Sequence, residues 1–446
     1  MSLYLIYFWL FTLLLIAKSI YSAIFLFRVS RYLKTPFAGD TDKSVQFVLF
    51  IPLLHETGIV PELVEHFIAL IKRDPTAILV FVTTEREFYN GPTKQNTVEA
   101  VQQSLKGLET SLQERTVHIH YPRVNQALAE QLNYALKLYT RSVPVTDYKK
   151  IFYGFYNADS RTKLYVLESI RKILSLFPER EIFQQSSAFF KNTQSFIGPV
   201  GWILCANALR QTRWTFLHEI PRYFKNKSDN ITLTHVVTHG LFIRLDVLKK
   251  VGYFPTDGFG EDLYLGFILR SFGYIVHPIP ILENSDSPTT LRSMFRQKYV
   301  WFWGPLGYVY FWNRFRLRFP KQWLKKRMLI IGTSLLGVLD ALNWLLAGIC
   351  FCLYFVYGWI IGHGWFAIFF GLGYLWVTSA ITIFIYHAQS DAKLFPRLTI
   401  SQSAISILLF PLIVLLHSLP PFVTIGKEVW LRVFPHVYLR PKTERR

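Results

Sequence analysis

The strongest constraint on this chain is where charge is missing. From Met1 to Ala17 there is no charged side chain, and from Met328 to Tyr386 the only one is Asp340. About 20 consecutive apolar residues already cross a bilayer as a helix, so a soluble fold is excluded. Composition agrees: of 446 residues 51% are hydrophobic and 17% charged, whereas soluble domains carry roughly 25% charged residues. The apolar blocks lie at the two ends, which implies membrane segments around a globular middle. The three cysteines, Cys205, Cys350 and Cys352, offer neither a disulfide framework nor a metal spacing.

The first block reads as an anchor and not as a signal peptide, because no basic region precedes it and no small-residue cleavage site follows. A helix reaching Phe27 must let Lys18 snorkel or face protein. Lys18, Arg28, Arg31 and Lys34 flank it on the C-terminal side, so the positive-inside rule puts the middle of the chain in the cytoplasm. The second block is broken at Gly362-His363-Gly364. It predicts a hairpin, one span ending near Ile361 and one from Trp365 to Tyr386. A third apolar run, Leu398–Gly426, is interrupted by Pro411 and Pro420-Pro421, and the tail after it is basic. Three full spans would put that tail outside, against the charge rule. Either 328–361 holds an additional short segment or the proline-broken run re-enters the membrane. Asp340 is either interfacial or a functional intramembrane acid. The expected division is an N-terminal transmembrane helix (1–28), a cytosolic catalytic domain (29–285) and amphipathic interface helices (286–327). A membrane region (328–426, with the hairpin at 340–386 and the broken segment at 398–426) and a basic tail (427–446) follow.

In the middle, short apolar runs alternate with helix-patterned ones. Ser44–Pro52, Ala77–Thr84, Val117–Tyr121 and Lys150–Tyr156 read as strands. Glu62–Lys72, Val98–Leu108, Gln126–Leu138 and Leu263–Phe272 read as helices. This alternation predicts an α/β domain with a mostly parallel sheet, whose ligands bind beyond the carboxyl ends of the strands. Polar residues stand at those ends: Pro52 to Glu56, Glu85 to Glu87, and Asn157-Ala158-Asp159, with Glu261-Asp262 preceding the last helix. Grouped carboxylates serve to hold a divalent cation beside phosphates or to take a proton from a hydroxyl.

These motifs resemble the membrane-integrated family 2 glycosyltransferases of the cellulose, hyaluronan and poly-N-acetylglucosamine synthase group, over Val45 to Trp303 and loosely over the flanking segments. The resemblance implies a GT-A fold, Rossmann-like with a mostly parallel sheet. It implies a nucleotide-diphosphate sugar donor, a UDP-sugar in first place, and a growing polysaccharide or lipid-linked acceptor at the bilayer. The implied donor-site residues are Pro52, Glu56, Glu85, Asn133, Asn157 and Asp159, with Asp159 the ligand of a Mg²⁺ or Mn²⁺ ion. Asp262 is the implied general base, with Glu261 beside it. Gln184-Gln185 resemble the family's Gln after the metal motif. His239 and Gly240 resemble the acceptor-side segment, and Gln297, Lys298 and Trp301 the interface-helix motif. That last motif departs from the family: Val300 replaces an Arg that would neutralise a diphosphate, and Lys298 or Arg296 could supply the charge from a neighbouring turn. Trp301 and Trp303 also suit simple interface anchoring. The implied location is an integral protein of a bacterial inner or plasma membrane with its catalytic domain cytoplasmic.

Other readings are weaker. His55, His235 and His239 lack zinc-type spacing. The sequons at Asn226 and Asn230 fall on the cytoplasmic side and read as chance matches. The net charge of +20 is largely juxtamembrane, so anionic lipid, not nucleic acid, is the expected partner. Within the transferase reading, a processive synthase competes with an enzyme making single additions to a lipid or membrane acceptor. A membrane scaffold or transporter with a degenerate transferase domain is the remaining alternative.

Overall fold

The computed structural model describes residues 3–35, 41–42, 44–88, 96–124, 127–226, 232–233, 236–257, 260–389 and 391–433. Both sequons, His235, Gly258 and most of the basic tail lie wholly or partly outside these residues. The chain opens with helix α1 (Leu3–Leu33), then β1 (Gln46–Pro52), α2 (Val60–Arg73), β2 (Ile78–Thr84), α3 (Thr97–Lys106), the short α4 (Thr110–Gln113), β3 (Thr116–Tyr121) and α5 (Leu128–Thr140). It continues through β4 (Ile151–Phe155), α6 (Val166–Leu176), β5 (Ile182–Ala188), α7 (Gly198–Trp214), α8 (Ile220–Lys225), β6 (Leu241–Arg244), α9 (Leu245–Lys250), α10 (Glu261–Phe272) and β7 (His277–Asn284). The last part is helical: α11 (Leu291–Arg318), α12 (Pro320–Ile360), α13 (Gly364–His387), α14 (Ile400–Leu408), α15 (Phe410–Ser418) and α16 (Pro420–Val433).

The strands form one sheet in the order β3-β2-β1-β4-β6-β5-β7, parallel except for β6, which runs antiparallel to β4 and β5. On β1, Phe47, Leu49 and Ile51 face α2 and α6, while Val48 and Phe50 join α5 and α10 on the other side. Alternation of this kind with apolar residues on both faces is what a sheet covered on both sides requires. The sheet is mostly parallel and covered by helices on both faces, the α/β arrangement expected from the sequence. β5, β6 and β7 are too polar or too short to stand out: β5 carries Gln184, Gln185, Ser186 and Ser187, all buried.

Among the described residues, four helical segments are long and apolar enough to cross a membrane: Leu3–Leu33, Pro320–Ile360, Gly364–His387 and Phe410–Trp430. α1 continues past residue 28 to Leu33, since no breaker stands before Pro36, and Tyr32 donates to the Pro278 carbonyl at 2.7 Å. α12 turns at Lys326 (φ −131°), whose ammonium donates at 3.1 Å to the Phe272 carbonyl near the end of α10. Beyond that turn, 327–360 is one continuous helix, so it holds no additional short segment. The proline-broken run behaves differently. Near its start Gln402 donates to the Thr193 carbonyl at 3.0 Å, and near its end Thr424 donates to the Tyr299 carbonyl of α11 at 2.8 Å. Both ends of the run therefore contact the part of the chain that carries the sheet and its interface helix.

Candidate functional site

A cavity of about 1090 Å³ opens at the carboxyl ends of β1 and β4 and continues between the membrane helices. Pro52, His55 and Glu56 line it from the β1 loop, Asn157 and Asp159 from the β4 loop, and Glu261 and Asp262 from the start of α10. Each loop is held from behind. Gln131 of α5 donates to the Val82 carbonyl at 2.7 Å and the Leu53 carbonyl at 3.3 Å, tying together the ends of β1 and β2. His55 sits at φ +54°, a conformation that costs about 1–3 kcal/mol for a residue with a Cβ. The backbone amide of Glu56 donates to Thr97 Oγ1 at 3.0 Å, and Thr97 in turn donates to the buried Glu87 at 2.7 Å.

The β4 loop is clamped by Arg161, whose guanidinium donates to the carbonyls of Ala158 (3.0 Å) and Ser160 (2.9 Å) and pairs with Glu62 at 3.1 Å. Thr162 donates its amide to Nε2 of His66 at 3.2 Å. Burial, reinforced by the Arg161 and Lys191 charges, pushes His66 down to about 3, so it stays a neutral acceptor there. These contacts present Asp159 next to Asp286, whose amide donates to Asp159 Oδ2 at 3.2 Å. Lys191 lies 3.8 Å from Asp286 and 3.6 Å from Glu62, and donates to the Asp159 carbonyl at 3.3 Å.

Asp262 stands on the first turn of α10 and accepts from the Leu263 amide at 2.8 Å. Gly260 before it has φ +71°, and a Cβ there would come within 2.6 Å of the Gly304 Cα on α11. Two glycines are thus what allows the loop carrying Glu261-Asp262 to sit against the interface helix. From α11 itself, Arg296, Lys298, Val300 and Trp301 line the cavity, and Lys298 lies over the Trp301 ring at 4.4 Å.

Not every residue named from the sequence faces this space. Glu85 bonds His120 at 3.1 Å on the β3 side, and it is its neighbour Arg86 that lines the cavity. Asn133 braces Phe254, with its amide donating to the carbonyl at 2.8 Å and accepting from the backbone N–H at 3.0 Å, and it lines a separate cavity with Tyr121 and Arg314. Two residues along a helix is a rotation of about 200°, so Gln131 faces the cavity and Asn133 the opposite side. Gly240 (φ +66°) packs on Gln185, and Gln297 is buried between Gln211 and Lys298. His239 lines the cavity and is held through Nδ1 by Ser187 (2.9 Å) and the buried Glu283 (2.8 Å). Gln184 donates to its carbonyl at 2.7 Å.

Several lining residues were not foreseen. Asp286 follows the strand end Glu283-Asn284-Ser285, the same signal that marks Asp159, but β7 was not read as a strand. Arg210, Gln211, Arg213, Trp214 and His218 come from one face of α7 and the π-helical turn after it. Lys18 lines the cavity from α1, and Asp340 from α12, where it pairs with Arg222 at 2.8 Å. Neither of these two membrane-helix charges is buried among lipid-facing residues alone.

Residues 169–388, just under half of the chain, match the family described as "Glycosyl transferase family group 2". Over that stretch the chain is similar to family 2 glycosyltransferases. The match runs from within α6 to the end of α13, and so spans Lys191, α7, Glu261-Asp262, Asp286 and the interface helix. Nothing in it selects the cellulose, hyaluronan or poly-N-acetylglucosamine subgroup. Among solved structures, the chain is similar to the mannosyltransferase PcManGT from Pyrobaculum calidifontis in complex with GDP-Man and Mn²⁺. Identity is 14% over 82% of this chain and 98% of that one, with a TM-score of 0.43, a likeness that carries nothing about the reaction. No curated protein matches the chain.

Among the described residues no group of three or more His, Cys, Asp or Glu side chains is gathered for a metal ion. Asp159 and Asp286 together offer hard oxygen donors on the cavity wall. Mg²⁺ is commonly held by one or two carboxylates, with substrate phosphates completing its shell. The donor set therefore fits a cation that arrives with a phosphorylated substrate.

Proposed function

We propose that this protein transfers a sugar from a nucleotide-diphosphate donor, a UDP-sugar in first place, to a glycan or lipid-linked acceptor at the membrane surface, with inversion at the anomeric carbon. The observation that carries this reading is one continuous cavity lined by both Asp159 and Asp262 that runs from the sheet to the membrane helices. The nucleotide end of the donor lies over the β1 and β2 loops near Pro52, Glu56 and Arg86. Asp159 and Asp286 would hold a Mg²⁺ or Mn²⁺ ion, which when bound supplies neutralising charge to the diphosphate.

Asp262 takes the proton of the acceptor hydroxyl. The hydroxyl oxygen forms the new bond to the anomeric carbon as the bond to the diphosphate oxygen breaks on the opposite face, and the nucleotide leaves with that electron pair. Glu261 and the Gly260–Gly304 contact position Asp262, and His239 and Trp301 flank the acceptor. The test is incubation of purified full-length protein with a panel of nucleotide sugars and Mn²⁺, measuring released nucleotide and sizing any product. Turnover of one donor is expected; no nucleotide release from any donor would favour the scaffold alternative.

A further inference from the structure

A second cavity, of about 870 Å³, shares no lining residue with the first. Its size falls within the roughly 300–1,000 Å³ of small-molecule sites. The end of β3, α5, the loop after α9 and the last turns of α11 form its walls. Four cations line it, Arg123, Lys137, Arg314 and Arg318, against two acids, Glu130 and Asp257. The excess positive charge is on the α11 side. There the part-buried Arg314 has one terminal nitrogen buried without a hydrogen-bond partner. Arg318 donates at 2.8 Å to the Gly252 carbonyl, a neutral acceptor, and Lys137 lies over the ring of the adjoining Tyr253 at 5.8 Å. Burial pushes the pKa of the Tyr264 hydroxyl up, and the charges near it are those of Asp257, Arg318 and Arg314; that hydroxyl too is buried without a partner. The other end is aromatic and balanced. Tyr121 and the more exposed Tyr134 meet edge to face with ring centroids 5.3 Å apart, and Arg123 and Glu130 stand beside Tyr121.

We propose that this second cavity binds a nucleoside monophosphate, with its phosphoryl oxygens on Arg314 and Arg318 and its base against Tyr134. A dianion answers the charge excess beside α11, through the charge-assisted hydrogen bonds that guanidinium groups make to phosphate. Flat bases stack on aromatic side chains, and Glu130 and Asp257 are acceptors for ribose hydroxyls or base N–H groups. Inorganic phosphate would use the cationic end alone and a free nucleoside the aromatic end alone. The occupant is an effector and not a substrate of the first cavity. Asp257 stands four residues before Glu261, and Phe254 of the same loop is already braced by Asn133. A ligand on that loop therefore holds the chain that leads to Glu261-Asp262. The site stands whether or not the transferase reading does.

The experiment uses the full chain in phosphatidylcholine nanodiscs, with AMP, UMP, adenosine, uridine and inorganic phosphate as separate probes. Binding is read by equilibrium dialysis and native mass spectrometry. AMP or UMP should bind saturably, and more tightly than its nucleoside or inorganic phosphate by about tenfold or more, the scale of one charge-assisted hydrogen bond. Arg314→Gln should lose that margin and Arg314→Lys should lose less. Tyr134→Leu should weaken the nucleotide but not inorganic phosphate, and it keeps the test decisive if Arg314→Gln does not fold. Asp159→Ala, in the first cavity, should bind the nucleotide as wild type does. The azido form of whichever nucleotide binds should photolabel the peptide that holds Tyr134, and hydrogen exchange over 251–257 should slow on binding. Binding of neither nucleotide, equal binding of inorganic phosphate, undiminished binding to the Arg314 and Tyr134 variants, or label on the loops after β1 and β2 would overturn the site. Unaltered exchange over 251–257 would overturn the effector role. None of these outcomes depends on turnover, so they stand apart from the nucleotide-release test above.

Discussion

The two halves of the cavity hold their charges in opposite ways. On the sheet side every acid in the β4 loop region has a cation beside it: Lys191 stands by Asp286 and Glu62, and Arg161 by Glu62 and the loop that carries Asp159. On the membrane side Arg210 faces Arg213, and Asp340 is engaged by Arg222. The first half is internally balanced by these ion pairs. In the second half Arg210 Nε and one terminal nitrogen of Arg213 are buried without a hydrogen-bond partner. The comparison teaches that charge balance, more than residue type, distinguishes the two halves of one cavity.

The largest expected effect is on the chemistry. Asp262→Asn should lower transfer by roughly 10²–10⁴-fold, the usual contribution of a positioned acid or base, while nucleotide binding persists. Transfer within tenfold of wild type in a radiolabelled-sugar assay would remove Asp262 from that role.

Asp159→Ala should next abolish the part of nucleotide affinity that depends on Mg²⁺ or Mn²⁺. Isothermal titration with and without EDTA reads this, and an affinity that is equally metal-dependent in both proteins would show that the cation sits elsewhere.

The contrast between the halves is sharpest in stability. Lys191→Gln leaves Asp286, which is fully buried, without its nearest ammonium and should destabilise by about 3 kcal/mol, the lower end for breaking a buried pair. Arg210→Gln removes a cation whose Nε has no hydrogen-bond partner and should leave the melting temperature unchanged or raised. Equal losses in thermal unfolding of the two variants would erase the distinction drawn above.

The smallest effect is on pH dependence, and it is shared by both halves. His66 on the sheet side and His218 on the membrane side are each pushed down to about 3 by burial, His218 also by the Arg222 charge. The unfolded chain takes up these protons near its ordinary value, about 6.5. Stability is therefore complete above that pH and falls as pH drops from about 6.5 toward 3, by at most about 1.4 kcal/mol per unit for each histidine. Melting curves at pH 7 and pH 5 should show a lower transition at pH 5, with a smaller difference in His218→Gln. An unaltered difference would mean that His218 does not remain neutral on folding.

Much of the architecture was legible because it is written in local pattern. The four parallel strands β1 to β4, the helices after the first three and α10 could be read from continuous apolar runs and helical spacing, and each lies within a few residues of its expected bounds. The second half of the sheet was not legible. β5 buries glutamines and serines whose partners, Thr162, Glu219, His239 and Glu283, lie far away in sequence. The membrane topology was half-legible: proline positions showed that the last run is broken, but only the contacts of Gln402 and Thr424 bring both of its ends back to the globular part.

What this sequence determined alone is the division into membrane and globular parts, the α/β class and the acidic residues at strand ends. Burial of apolar side chains and backbone pairing act over a few residues at a time, so a linear pattern records them. Tertiary structure decided which of those polar residues share a space: it turned Asn133 toward Phe254 and Gln131 toward the cavity, drew Asp286 to Asp159, and set arginines of α7 opposite α11. Electrostatic and hydrogen-bond partners act across distance in space, and no spacing along the chain encodes that distance.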